Sequence, residues 1–153
     1  ESCLELQQKL NSSADLEWCI LDDKLVWLQY RPVTKKIEYK EASTTENSFV
    51  GVAASRGTVI GKPIYLEGLD EVDTFEDGSI LLTDYTDPDW VPIILRSSGI
   101  ITVEGGFLSH TAIISRELGI PCVTGLGYDA IEKLKDEEQI EVNGNNGSVK
   151  FVK

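Results

Sequence analysis

The sequence predicts an α/β domain built on a mixed sheet, and three observations carry that prediction. Short apolar, β-branched runs such as "GSILLT", "IITVE" and "PCVTG" alternate with helical patterns through the middle of the chain. The C-terminal "QIEVNGNNGSVKFV" reads instead as a hairpin, so parallel and antiparallel pairing should coexist. The 153 residues, 41% hydrophobic and 26% charged, suffice for one ordinary core with a small appendage at most.

The elements follow in order. Ser2 can cap a helix over "CLELQQKLN", and "DLEWCILDDKLVWLQYRP" reads as two strands joined at Asp22-Asp23 and stopped by Pro32. Residues 35–48, polar and rich in Lys, Glu, Ser and Thr, read as a linker between residues 1–34 and a main domain of residues 49–153. In that domain "FVGVAASRGTVIGKPIYLE" is expected to form two short strands around a glycine turn at Arg56-Gly57, and "GSILLT" a buried strand. Asp87 can cap a helix with Pro88 at its first position and Gly99 at its end. After the strand "IITVE" comes Gly105-Gly106, then Ser109 as cap of "HTAIISREL", with Ile113, Ile114 and Leu118 as its apolar face and Gly119 as a left-handed stop. The strand "PCVTG", a helix near "YDAIEKLK" and the closing hairpin complete the chain.

Charge and composition exclude several function classes. With 14 Lys+Arg against 26 Asp+Glu, the net charge of −12 repels nucleic-acid backbones and anionic membranes. No apolar run approaches the roughly 20 residues of a spanning helix, and "ESCLELQQKL" lacks a basic stretch followed by an apolar one. Cys3, Cys19 and Cys122 are odd in number and widely separated, which fits neither a disulfide framework nor a CxxC site and leads us to expect a cytoplasmic setting. The chain contains no methionine and reads as a piece of a longer protein.

His110 is the single histidine. It falls at the start of a helix, where unpaired backbone N–H groups and the helix dipole stabilise an anion by roughly 0.3–1 kcal/mol. Neutral imidazole there offers a nitrogen lone pair for nucleophilic attack, and Gly105 and Gly106 would let another molecule approach the backbone closely. A hydrolase dyad with Ser109 is disfavoured because neighbouring side chains diverge and no GxSxG elbow is present. One His and three scattered Cys give no zinc spacing, so no complete metal site is expected; Asp84, Asp87 and Asp89 read as a turn and helix cap. An ordinary structural histidine and a lone nucleophile both remain open, as do a cap role for Ser109 and a salt-bridge or phosphate role for Arg116.

"GIITVEGGFLSHTAIISRELGIPCVTG" resembles the phosphohistidine segment of the phosphoenolpyruvate (PEP)-utilising enzymes: PEP synthase, pyruvate phosphate dikinase, the rifampin phosphotransferases and, more distantly, Enzyme I. "GVAASRGTVIGKP", "TDPDW" and "EVNGNNGSV" resemble the opening, the first helix turn and the closing hairpin of the same mobile domain, so the likeness covers roughly residues 49–153. It implies a three-layer β/β/α swivelling domain in which His110 is the phosphoryl acceptor, supported by Ser109, Gly105, Gly106 and Arg116. "DLEWCILDDKLVWLQYRPVT" is similar to the C-terminal end of an ATP-grasp domain, which makes residues 1–34 a helix-hairpin remnant with Glu17, Gln29 and Arg31 as parts of an ATP site.

The resemblance implies a carrier that moves phosphate between ATP and a pyruvate/PEP site. Mg2+ and ATP would act in the full-length parent, neither is expected on this fragment, and the partners would be the ATP-grasp domain and the acceptor domain of the same chain. The departures are Leu108 where PEP synthase and the dikinase typically have a regulatory threonine, Arg56 where Pro is common, and Asn143 where Asp is common. Leu108 is closer to the rifampin-phosphotransferase branch, which would keep the carrier role and change the acceptor. A non-catalytic docking module is the alternative from another class.

Overall fold

The computed structural model describes residues 9, 14–32 and 48–152. These fall into two units divided between Tyr39 and Lys40. The helix expected after Ser2, apart from Lys9, and the linker, apart from Ser48, lie outside the described residues, as does Cys3; Ser48 opens a strand.

In the first unit, β1 (Ala14–Leu21) pairs antiparallel with β2 (Lys24–Pro32). Asp22 and Asp23 connect them with φ of 48° and 57°, the left-handed pair that a two-residue hairpin turn requires and that Asp tolerates. Trp18, Ile20, Leu21 and Leu28 are more than half exposed.

The second unit carries two sheets. One is antiparallel, in the order β3 (Ser48–Val50), β11 (Ser148–Phe151), β10 (Ile140–Asn143), β5 (Thr58–Gly61). The other is mixed: β4 (Val52–Ser55) pairs antiparallel with β9 (Cys122–Thr124), which continues in parallel to β8 (Gly99–Thr102), β7 (Ile80–Thr83) and β6 (Pro63–Tyr65).

Side-chain alternation along the parallel strands makes the layers. Ile80, Leu82, Ile101 and Val123 face the antiparallel sheet and meet Phe49, Ile140, Val142 and Val149 there. Leu81, Ile100 and Cys122 point the other way, into a second core with Trp90, Ile93, Ile94 and Ala112. The strands succeed one another in a single direction across the sheet, so right-handed crossovers place their connections on one face. Those connections are a 3-10 turn (Leu69–Thr74), a second one (Pro88–Trp90) running into α1 (Val91–Ile94), and α2 (His110–Leu118). The helix α3 (Tyr128–Leu134) packs Ala130, Ile131 and Leu134 into the inter-sheet core. The unit is thus the β/β/α arrangement, with a mixed sheet in the middle. No helix among the described residues is long and apolar enough to cross a membrane.

Three local expectations are corrected. The stretch from Phe49 to Glu67 holds four short strands that alternate between the two sheets, with the Arg56-Gly57 turn as one of the crossings. Gly57 has φ of 125°, and a Cβ there would lie 2.7 Å from the Pro121 ring, so this crossing needs glycine twice over. Gly99 opens β8 and does not end the preceding helix; Val59 from the facing sheet fills the space a Cβ would need, at 2.7 Å. Ile113 and Leu118 are exposed, and α2 buries the small residues Thr111, Ala112 and Ser115 instead, which lets its axis lie close to the sheet.

Asp84, just beyond β7, accepts hydrogen bonds from Tyr65 and Tyr128, each at 2.9 Å, and so ties β6 to the start of α3. Burial, then the Asp84 hydrogen bond, pushes Tyr65 up to about 12 from its ordinary 10.0. The unfolded chain therefore loses this proton first as pH rises, so stability present below pH 10 declines between about 10 and 12. Urea unfolding across that range is expected to show a smaller alkaline loss in Tyr65→Phe than in the parent. Burial likewise pushes the Cys122 thiol up to about 12, with the Ser115 hydroxyl and the Arg116 charge opposing. With Cys3 and Cys19 replaced by Ser, alkylation of Cys122 is expected to be limited by unfolding; rapid labelling of the native protein would contradict this packing.

Candidate functional site

The site forms at the C-terminal ends of two adjacent parallel strands. The loop after β8 leads to His110, and the loop after β7 carries Thr86. Side-by-side parallel strands deliver their following loops to one place, which is why open α/β sheets gather functional groups there.

The start of α2 is fixed by its own sequence. Ser109 is extended, at φ −64° and ψ 158°, and its hydroxyl accepts from the Ala112 N–H at 3.3 Å while donating to the Gly106 carbonyl at 2.9 Å. The Ser109 N–H also donates to Gly106 at 3.1 Å. Gly105, at φ 112°, makes the turn into this loop, and its carbonyl lies 2.8 Å from where a Cβ of Gly125 would sit. Gly119, at φ 70°, ends the helix as expected. The hydroxyl of Ser109 is thereby committed to the helix cap.

His110 occupies the first position of the helix and is half-buried. Its Nδ1 lies 3.2 Å from the Thr86 Oγ1, which is itself 2.8 Å from the Thr111 Oγ1. Thr86 and Thr111 are 6% and 2% exposed, so this hydroxyl pair is a buried anchor under the ring. In the tautomer with hydrogen on Nδ1, Thr86 accepts from the ring and donates to Thr111, and Nε2 keeps its lone pair. Leu108, two residues before His110, is 73% exposed, and Phe107, Ile113 and Tyr85 are also exposed.

Sequence reasoning missed Thr86. The available signal was a polar residue at the end of a buried parallel strand, next to the Asp87 cap that was recognised; Asp87 does cap the following turn, accepting from Asp89 N–H at 2.9 Å. Arg116 is not brought to His110. Six residues along a helix turn the chain by roughly 600°, so the two side chains leave different faces. Arg116 donates to the Ala54 carbonyl at 2.9 Å and lies 4.4 Å over the Phe107 ring.

On the hairpin, Glu17 stands opposite Gln29, and Arg31 reaches both, at 2.9 Å to the Gln29 Oε1 and 3.9 Å to the Glu17 carboxylate. The three form one exposed polar network on a single face. Among the described residues no three His, Cys, Asp or Glu side chains gather as a metal site.

Comparison with known proteins places this geometry in a family. The model of the PEP-utilising enzyme mobile domain matches residues 75–147. The chain is 42% identical over 147 residues to a probable phosphoenolpyruvate synthase of Methanothermobacter thermautotrophicus, covering 94% of this chain and 21% of that protein. It is 34% identical over 160 residues to the phosphoenolpyruvate synthase of Escherichia coli, covering 99% of this chain and 20% of that protein. The chain therefore spans about a fifth of the length of these curated relatives. Among solved structures, Thermococcus kodakaraensis aconitase X matches with a TM-score of 0.51 at 18% identity, over 69% of this chain and 98% of that one, a likeness of fold alone. The paired glycines, the capped helix start with its histidine and the sequence relatives agree: the chain belongs to the PEP-utilising enzymes, through their mobile domain.

Proposed function

We propose that this chain is the phosphoryl-carrying part of a phosphoenolpyruvate-synthase-like phosphotransferase, with His110 as the residue on which the group travels. The observation that carries the reading is the pairing of His110 Nδ1 with the buried Thr86 hydroxyl, which leaves Nε2 as the free nucleophile at an accessible helix start. No carboxylate is hydrogen-bonded to the ring among the described residues, which suits a carrier whose reactions are completed by other domains.

In the loading step the Nε2 lone pair attacks phosphorus. The Nε2–P bond forms as the bond from phosphorus to the donor's bridging oxygen breaks, and that electron pair leaves with the nucleotide. The Nδ1 proton stays on the ring, donated to Thr86. Unloading reverses the roles: an acceptor oxygen bonds to phosphorus and the pair returns to Nε2. Pyruvate is the acceptor this reading names, from the relatives' names. Ser109, Gly105 and Gly106 shape the backbone that the phosphoryl oxygens would meet.

ATP would be bound by an ATP-grasp domain, of which the hairpin with Glu17, Gln29 and Arg31 is the C-terminal part. Mg2+ would neutralise phosphate charge there; the described residues do not form a site for it. A cytoplasmic setting belongs to the same reading and is supported by the free thiols of Cys19 and Cys122.

Intact-mass measurement at alkaline pH on the full-length parent with Mg-ATP tests the proposal. One acid-labile phosphoryl group is expected on the parent and none on His110→Ala; a folded parent that stays unmodified would favour a docking module. Thr86→Val is expected to slow phosphohistidine formation by about 10–100-fold through loss of ring positioning, with Thr86→Ser restoring most of the rate. An unchanged rate in Thr86→Val would remove the anchor from the mechanism.

A further inference from the structure

A cavity of about 550 Å³ opens where the Arg56-Gly57 turn meets the C-terminal half of α2 and the β10–β11 turn. Its lining includes Ser55, Arg56, Phe107, Arg116, Gly144 and Asn145, and His110 does not contribute to it. Its charge runs against that of the molecule. The chain carries −12, yet this lining holds two guanidinium groups and no acidic residue.

The other described arginines sit beside carboxylates: Arg31 by Glu17, Arg96 by Asp77. Arg56 and Arg116 have no carboxylate within ion-pair distance among the described residues, and both line this one cavity. Arg116 is held in place without losing its charge. One nitrogen donates to the Ala54 carbonyl and the guanidinium plane lies 4.4 Å over Phe107, so its remaining N–H groups are unspent. The opposite wall is equally fixed. The Gly144 N–H donates to the Gly57 carbonyl at 2.8 Å, the Asn145 Oδ1 accepts from the Gly57 N–H at 3.3 Å, and a Cβ on Gly144 would collide with the Ser55 carbonyl.

We infer that this cavity binds a small phosphate-bearing anion between Arg56 and Arg116. Two guanidinium groups lining one cavity suit phosphate oxygens in chemistry and charge, and the volume lies in the range of small-molecule sites. The inference is independent of the carrier reading, because none of its residues touches the His110 ring in the structure. A small molecule is favoured over an acidic protein segment because the groups converge in a concavity, whereas acidic segments are met by open basic surfaces.

The test is a titration of the 153-residue chain with pyrophosphate at constant ionic strength, followed by amide and arginine side-chain NMR shifts. Saturable shifts confined to Arg56, Phe107, Arg116, Gly144 and Asn145 are expected. Arg56→Gln should weaken binding by about tenfold or more, with Arg56→Lys recovering part of it. Arg116→Lys should also weaken it while keeping the dispersed spectrum of the folded chain. Shifts that do not saturate, spread over the surface, or survive in Arg56→Gln would overturn the site. Equal saturation by citrate or an acidic peptide of matched charge would overturn its assignment to phosphate.

Discussion

The central sheet is apolar on both faces, and most of the fold follows from that. Ile80, Leu82 and Ile101 on one side and Leu81 and Ile100 on the other are all fully buried, so neither face can be left to water. At roughly 25 cal/mol per Å² of apolar surface, exposing either face would cost more than a domain of this size has in net stability. One cover is the antiparallel sheet of β3, β5, β10 and β11; the other is the row of crossover helices. Because successive parallel strands step in one direction, their connections end side by side, and the loops bearing Thr86 and His110 meet as a by-product of covering the sheet.

The histidine is therefore held from below rather than flanked. Its partner is a hydroxyl that can accept from the ring and donate onward to Thr111, which fixes orientation without adding charge. The proposed carrier benefits from that neutrality. A carboxylate in the same place would repel an arriving phosphoryl group, whereas threonine tolerates both the loaded and the empty ring. The exposed apolar side chains of Phe107, Leu108 and Ile113, neighbours of His110 in sequence, suit a proposed carrier that must be presented to other protein surfaces.

The parts legible in the sequence were those encoded locally. Ser109 before His110, Gly119 after Leu118, Asp22-Asp23 between alternating strands and Asp87-Pro88 each specify a backbone geometry through their own side chains, and each forms the cap, stop or turn that local chemistry dictates. What the sequence did not reveal depends on distant partners. In the zigzag of Phe49–Glu67 between sheets, β3, β4 and β5 are placed by pairing with strands some 70 to 100 residues later, which no local period records. Ile113 and Leu118 match a helical apolar stripe, yet the sheet admits only the small face of α2. Thr86 carries no motif of its own; its role arises because β7 and β8 are neighbours.

The pairing of β3 with β11 has a mechanical consequence. Ser48 lies opposite Lys150, so the first and last strands of the larger unit are held side by side in one ladder, and separating them means breaking that ladder's hydrogen bonds.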